Sequence, residues 1–149
     1  MINLIKSKIK KLISLILPLI FKTKIGSFIS ERFLYLSMNN VKEVIHSDCN
    51  FKFVDLNWIT RFRIDTFATK EPETLAWIDT FEKETVFWDI GANIGLYSCY
   101  AAKRYNCKVY AFEPSIFNLE LLGRNIELNR LADSITIIPI PFNEKLQES

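Results

Sequence analysis

Val86-Phe87-Trp88-Asp89-Ile90-Gly91-Ala92-Asn93-Ile94-Gly95 decides how this 149-residue chain folds. The apolar run Val86–Ile90, with an acid set into it, predicts a buried strand, and two of the chain's four glycines follow at once. Glycine lets a backbone turn tightly and admits a ligand where a Cβ would block it. From Asn93 or Ile94 to about Tyr105 the pattern is helical, with Ser98, Ala101 and Ala102 small enough for close packing on a sheet. A strand, a turn and a helix start aim free N–H groups and a positive dipole end at one point, which marks a ligand site.

Reading onward, the period of a strand returns at Lys108–Phe112 and ends at Glu113. Pro114-Ser115 follows, with Ser115 placed to cap a second helix that carries Leu119, Leu122 and Ile126 and closes near Asn129. Asp133-Ser134 then leads into a third strand, Ile135–Ile138. This β-α-β-α-β alternation predicts an α/β fold: a Rossmann-like, incomplete parallel sheet with helices on its faces. Beyond the third strand stand only Pro139-Ile140-Pro141-Phe142 and a polar tail, Asn143 to Ser149. A doubly wound sheet is built from two such halves, and the expectation is that only the first is here.

Reading backward, Thr74 to Glu82 predicts a short helix with Leu75, Ile78 and Phe81 on one face, after the break Lys70-Glu71-Pro72-Glu73. Phe51 and Phe53, then Phe62 and Ile64, alternate with polar residues, the period expected of two half-buried strands. Asn57-Trp58-Ile59-Thr60 is read as their hairpin connection. Residues 31–50 look helical, with Asn39-Asn40 as a break. The expected organisation is a helical and hairpin extension over 1–84 and the first half of a cofactor-binding domain over 85–149.

The first 30 residues hold six lysines (Lys6, Lys8, Lys10, Lys11, Lys22, Lys24) and no acid, so the rest of the chain is mildly acidic within a net charge of +2. Ile2, Ile5, Ile9, Leu12, Ile13, Ile16 and Ile20 step by three and four, as on an amphipathic helix that Pro18 should kink or end. The apolar run Leu12–Phe21 is shorter than the about 20 residues a spanning helix needs. Three readings stand for residues 1–24: packing on the protein or a partner, lying on an anionic membrane surface, or serving as a signal or anchor. Basic residues gathered at one end, rather than across the folded domain, predict no nucleic-acid partner. The odd cysteine set Cys49, Cys99 and Cys107 and the lone His46 form neither a zinc spacing nor a nucleophile–histidine system. They point to reduced thiols and a cytoplasmic location.

The turn itself selects among ligands. Asn93 stands where the dinucleotide fingerprint has its second glycine, position 96 holds Leu96, and a Walker lysine is absent. The Asp89 carboxylate would repel a pyrophosphate but not a ligand bringing an ammonium. S-adenosylmethionine brings an ammonium, a carboxylate and a sulfonium without a phosphate. Glu113, 22 residues after Gly91, ends the next strand, where a carboxylate can accept both hydroxyls of a ribose. S-adenosylmethionine is therefore preferred to a nicotinamide dinucleotide.

Phe87 to Ser98 (Phe-Trp-Asp-Ile-Gly-Ala-Asn-Ile-Gly-Leu-Tyr-Ser), Ala111-Phe112-Glu113-Pro114-Ser115 and Asn125-Ile126-Glu127-Leu128-Asn129 resemble the signature of FkbM-type S-adenosylmethionine-dependent methyltransferases. Lys70-Glu71-Pro72-Glu73-Thr74 resembles a segment that precedes the glycine turn in that family, and the likeness covers about residues 60–142. It implies a class I methyltransferase fold and methyl transfer, often to oxygen, on saccharides of surface polysaccharides or on secondary metabolites. It implies that Asp89, Gly91, Asn93 and Gly95, with Ala92 in the same turn, line the methionine side of the cofactor, that Glu113 holds the ribose, and that Glu71 joins the pocket. The family carries four more strands after Ile138, which hold the acceptor pocket and any general base. The expectation for this chain is cofactor binding with little or no turnover, and a small-molecule or saccharide acceptor. The alternative is a non-catalytic module whose open sheet edge is completed by a partner chain.

Overall fold

The computed structural model describes residues 2–141, and of residues 2–5 the backbone only. Phe142 and the tail Asn143–Ser149 lie outside the described residues. The chain divides into two compact units, residues 1–39 and 40–149. That division does not coincide with the expected boundary after residue 84, because residues 40–84 pack into the same body as the glycine turn.

In the second unit, β1 (Val41–His46) and β2 (Cys49–Val54) form an antiparallel hairpin. α3 (Trp58–Asp65) and α4 (Pro72–Ile78) follow, and then β3 (Val86–Ile90), α5 (Leu96–Tyr105), β4 (Lys108–Phe112), α6 (Ile116–Leu128) and β5 (Ile135–Ile138). β3, β4 and β5 lie side by side in that order, all parallel, with Val86 opposite Lys108 and Val109 opposite Ile135. The β-α-β-α-β reading holds with these strand bounds. Phe87, Asp89, Val109 and Ala111 point to the helix-covered face and are buried, whereas Val86, Trp88 and Ile90 on the other face are 57%, 55% and 54% exposed. A parallel sheet is ordinarily covered on both faces; here, among the described residues, one face is covered.

The hairpin is not where the alternation put it. Ser47 and Asp48 both adopt positive φ (46° and 63°), the two-residue geometry that matches the twist of paired strands. The hairpin therefore joins 41–46 to 49–54. Residues 41–46, expected to be helical, are strand. Asn57-Trp58-Ile59-Thr60, expected as the hairpin connection, and the run around Phe62 and Ile64, expected as the second strand, instead form the cap and body of helix α3. There Asn57 Oδ1 accepts from the Ile59 and Thr60 N–H groups while Thr60 Oγ1 accepts from the Asn57 N–H, a reciprocal cap. Thr60, Ile64 and Phe67 are the buried side of this segment, a helical and not an alternating period.

The core lies between the parallel sheet and the hairpin. α5 packs on β3, β4 and β5 and also touches β2, and α6 packs on β2 and β5. Phe51, Phe53, Phe67 and Tyr100 form a ring cluster there, joined edge-on by His46. The outer edge of β2 is bound by side chains. Asn125 Oδ1 accepts from the Val54 N–H (2.8 Å), and Asn129 Oδ1 accepts from the Lys52 N–H (3.0 Å) while its Nδ2 donates to the Lys52 carbonyl (2.7 Å). All three cysteines are free.

The first unit consists of α1 (Ile2–Phe21) and α2 (Lys24–Met38). Pro18 lies inside α1 and does not end it; the helix runs on to Phe21. The chain then turns by 106° over a short break. Thr23 caps α2 by accepting the Gly26 N–H and donates its hydroxyl to the Ile20 carbonyl. A Cβ on Gly26 would stand 2.0 Å from the Ile20 carbonyl oxygen, so the bend needs glycine. Among the described residues no single helix is long and apolar enough to cross a membrane, while Lys6–Phe21 and Lys24–Met38 taken as one bent pair meet that length and composition.

Candidate functional site

The turn after β3 alternates left-handed and ordinary backbone. Gly91, Asn93 and Gly95 have φ of 81°, 55° and 82°. The Gly91 and Ala92 N–H groups both donate to the Phe112 carbonyl at 2.9 Å, which fastens the turn to the end of the neighbouring strand. The two glycines answer different needs. Nothing lies within 4 Å of the place a Cβ on Gly91 would occupy, whereas a Cβ on Gly95 would stand 2.4 Å from Leu122 Cδ1 of α6. Gly91 borders open space, and Gly95 allows α6 to approach.

Glu113 braces the turn from the adjacent strand. Its Oε2 accepts the Asn93 N–H and its Oε1 accepts the Ser115 N–H, both at 2.8 Å, and it is buried. The carboxylate thus ties the glycine turn to the start of α6. Each oxygen keeps a further acceptor site. Asp89 is buried too, and its carboxylate accepts the Ser98 hydroxyl from α5. Burial holds its pKa above the ordinary carboxylate value, the bonds from Ser98 oppose that, and the Glu113 charge adds to it. Ser115 begins α6 at the expected cap position but makes no side-chain cap bond.

A pocket opens in front of the turn. It is lined by Gly91, Ala92, Asn93 and Ile94 of the turn, by Arg63, Thr66, Phe67, Lys70 and Glu71 from α3 and the loop after it, and by Leu96 and Tyr97 of α5. Glu71 Oε2 accepts the Tyr97 hydroxyl at 3.4 Å and Glu71 Oε1 lies 3.5 Å from Lys70 Nζ. Burial and the nearby Glu71 charge push the Tyr97 phenol up to about 12, so it is a donor at neutral pH. Asn93 Oδ1 is buried with no hydrogen-bond partner. A buried acceptor without a donor costs stability unless something fills it.

Of the residues singled out in the sequence, Glu71, Gly91, Ala92 and Asn93 line the pocket. Asp89, Gly95 and Glu113 are not among its lining residues; Glu113 bonds to the turn at Asn93, Asp89 bonds to Ser98 at the start of α5, and Gly95 lets Leu122 come close. Arg63, Lys70 and Tyr97 were not anticipated. Arg63 was read as the polar side of a strand, and only its place on α3 turns it to the pocket. Asn125 was seen only as part of a resemblance; it is fully buried and its Nδ2 donates to the Ile94 carbonyl at 2.8 Å, so it holds the turn and the hairpin at once. Two asparagines four residues apart on a helix were the legible signal for it.

No protein-family model matches the chain. A tRNA (guanine(37)-N(1))-methyltransferase of Dictyostelium discoideum is 28% identical over 99 residues, which is 65% of this chain and 20% of that protein. Methyltransferase sdnD of Sordaria araneosa is 48% identical over 42 residues, 28% of this chain and 16% of that protein. The chain therefore spans about a fifth or less of the length of these relatives. Among solved structures, Pyrococcus horikoshii TYW2 in complex with MeSAdo superposes with a TM-score of 0.51 at 19% identity, over 69% of this chain and 37% of that one. The expectation of no nucleic-acid partner is overturned by the first of these: a relative matched along most of the chain is named for its action on tRNA. The physical reason is that the charge of one stretch describes that stretch alone, and four-fifths of the matched relative lies outside it. The relatives are methyltransferases, and the fold is the Rossmann-like methyltransferase fold with a short parallel sheet.

Proposed function

We propose that this chain binds S-adenosylmethionine and supplies the cofactor half of a methyltransferase. The observation that carries the reading is the pocket beside Gly91, which Asn93 with its orphaned Oδ1 and the two cations Arg63 and Lys70 also line, and where a glycine leaves open space. In this reading the cations receive the cofactor carboxylate. Glu71 and the Asn93 amide oxygen accept from its ammonium. Glu113, at the end of β4, offers its remaining acceptor sites to a ribose. Asp89 acts through Ser98 and the turn and not by direct contact. When bound, the cofactor would supply an electrophilic methyl carbon on a sulfonium, which these residues would hold in place for an acceptor. What these residues contribute is position, because in-line displacement depends on alignment.

Isothermal titration of the folded chain with S-adenosylmethionine tests it. Binding that is lost in Gly91→Val and weakened at least tenfold in Arg63→Ala with Lys70→Ala supports the reading; a folded chain that releases no heat sinks it.

Two acceptor classes follow from different observations. The motif likeness of Phe87–Ser98 and Ala111–Ser115 supports a hydroxyl on a saccharide or secondary metabolite. The Dictyostelium relative supports a guanine base in tRNA. Radiolabelled methyl transfer to total tRNA, set against a saccharide acceptor panel, separates them. Cofactor binding with neither transfer favours a binding module completed by another chain.

A further inference from the structure

We propose that residues 2–38 are a bent helical foot that binds the surface of an anionic lipid bilayer. This goes beyond the methyltransferase reading and does not depend on it. Between Ile9 and Leu36, sixteen large apolar side chains are each 41–74% exposed. An apolar surface of that extent on a water-exposed unit marks an interaction site. On α2 the apolar residues Ile25, Phe28, Ile29, Phe33 and Leu36 recur at steps of three and four, while Ser27, Ser30, Glu31 and Ser37 fall on the other side. On α1 the stripe Ile9, Leu12, Ile13, Ile16 and Ile20 runs beside Lys8 and Lys11. Each helix is amphipathic, and neither covers the other's apolar face, since those residues stay exposed in the presence of both.

Charge selects the occupant. All six ionised side chains in residues 1–30 are lysines, and Glu31 is the first acid. The apolar run of α1 is bracketed by Lys10-Lys11 on one side and by Lys22 and Lys24 on the other. A bilayer surface offers apolar depth with anionic headgroups around it, the pattern that a basic amphipathic helix matches. The 106° bend fixed by Thr23 and Gly26 divides the apolar length between two helices, neither long and apolar enough to span alone, and the lysines at both ends of the α1 run are what favour the interface over the bilayer interior.

The test is co-sedimentation of the full chain with vesicles of phosphatidylcholine alone and with added phosphatidylserine. Retention on the anionic vesicles, its loss in high salt, and a fall of about fivefold per lysine in the set Lys10→Gln, Lys11→Gln, Lys22→Gln and Lys24→Gln are expected. Phe28→Ser with Phe33→Ser should release the protein while cofactor titration and far-UV circular dichroism stay unchanged, which separates lost docking from lost folding. Equal retention on neutral vesicles, or none on either, overturns the proposal. So does a stable dimer in light scattering that ignores vesicles, because a second copy of the chain then covers the face.

Discussion

Gly91 and Gly95 share a left-handed φ, yet substitution should separate them. Alanine at 91 meets no neighbour and carries only the backbone cost, about 1–2 kcal/mol. Alanine at 95 adds a collision with Leu122, a further roughly 1–3 kcal/mol. Urea denaturation of Gly91→Ala and Gly95→Ala checks the order, and equal losses would remove the packing role given to Gly95. Asp89 makes a pH prediction. Its folded pKa is raised, chiefly by burial, so the folded state holds the proton more tightly than the unfolded state. Its contribution is fully present below the ordinary value of 3.8 and is lost as pH rises through the folded value. Relative to Asp89→Asn, which keeps an acceptor for Ser98, the wild type should lose melting temperature as pH climbs through that window and match the variant below it. A difference that does not change with pH would refute the assignment. At this scale the sequence was legible where chemistry is local: the strand-end acids and glycines of the turn are plain in the residues themselves. Arg63 and Lys70 were hidden because their bearing on the site depends on α3 and the loop after it folding back over the turn.

Among the elements, α6 does more than cover the sheet. Asn125 reaches the Ile94 carbonyl with its nitrogen and the Val54 N–H with its oxygen. Asn125→Ala leaves both without a partner in a buried place, a loss of about 2–5 kcal/mol that chemical denaturation measures. Asn125→Asp keeps the Val54 bond but sets a buried carboxylate against the Ile94 carbonyl, and at neutral pH it should lose at least as much. The cap of α3 is a smaller test: Asn57→Ala removes the acceptor for two N–H groups and should cost about 1 kcal/mol. These elements also mark where periodicity misled. Phe62 and Ile64 alternate with arginines, but Phe62 is exposed and Ile64 buried on a helix that Asn57 and Thr60 start. The strands of the parallel sheet were readable because each is a short apolar run bounded by a turn. The true hairpin was not, because its turn is Ser47-Asp48, a pair with weak preference for the left-handed region it occupies.

Over the whole molecule, the parallel sheet shows Val86, Trp88 and Ile90 to solvent on the face opposite the helices. The chain should therefore self-associate as concentration rises, and Val86→Thr with Ile90→Thr should shift light scattering toward the monomer without altering cofactor titration. A wild type that stays monomeric throughout would show that this face is tolerated in water. The fold class was legible because β-α-β-α-β alternation survives in any stretch that holds it. The division of the chain was not, since the residues that join the hairpin to the sheet domain lie far from it in sequence. That long reach has a consequence for the order of assembly. Val54 and Asn125 are 71 residues apart, and Lys52 and Asn129 are 77 apart. During synthesis the hairpin can pair its strands as soon as both have emerged, but the outer edge of β2 stays open until α6 has been made. In pulsed hydrogen exchange during refolding, the Lys52 and Val54 amides should gain protection together with the amides of α6, after the rungs that join β1 to β2.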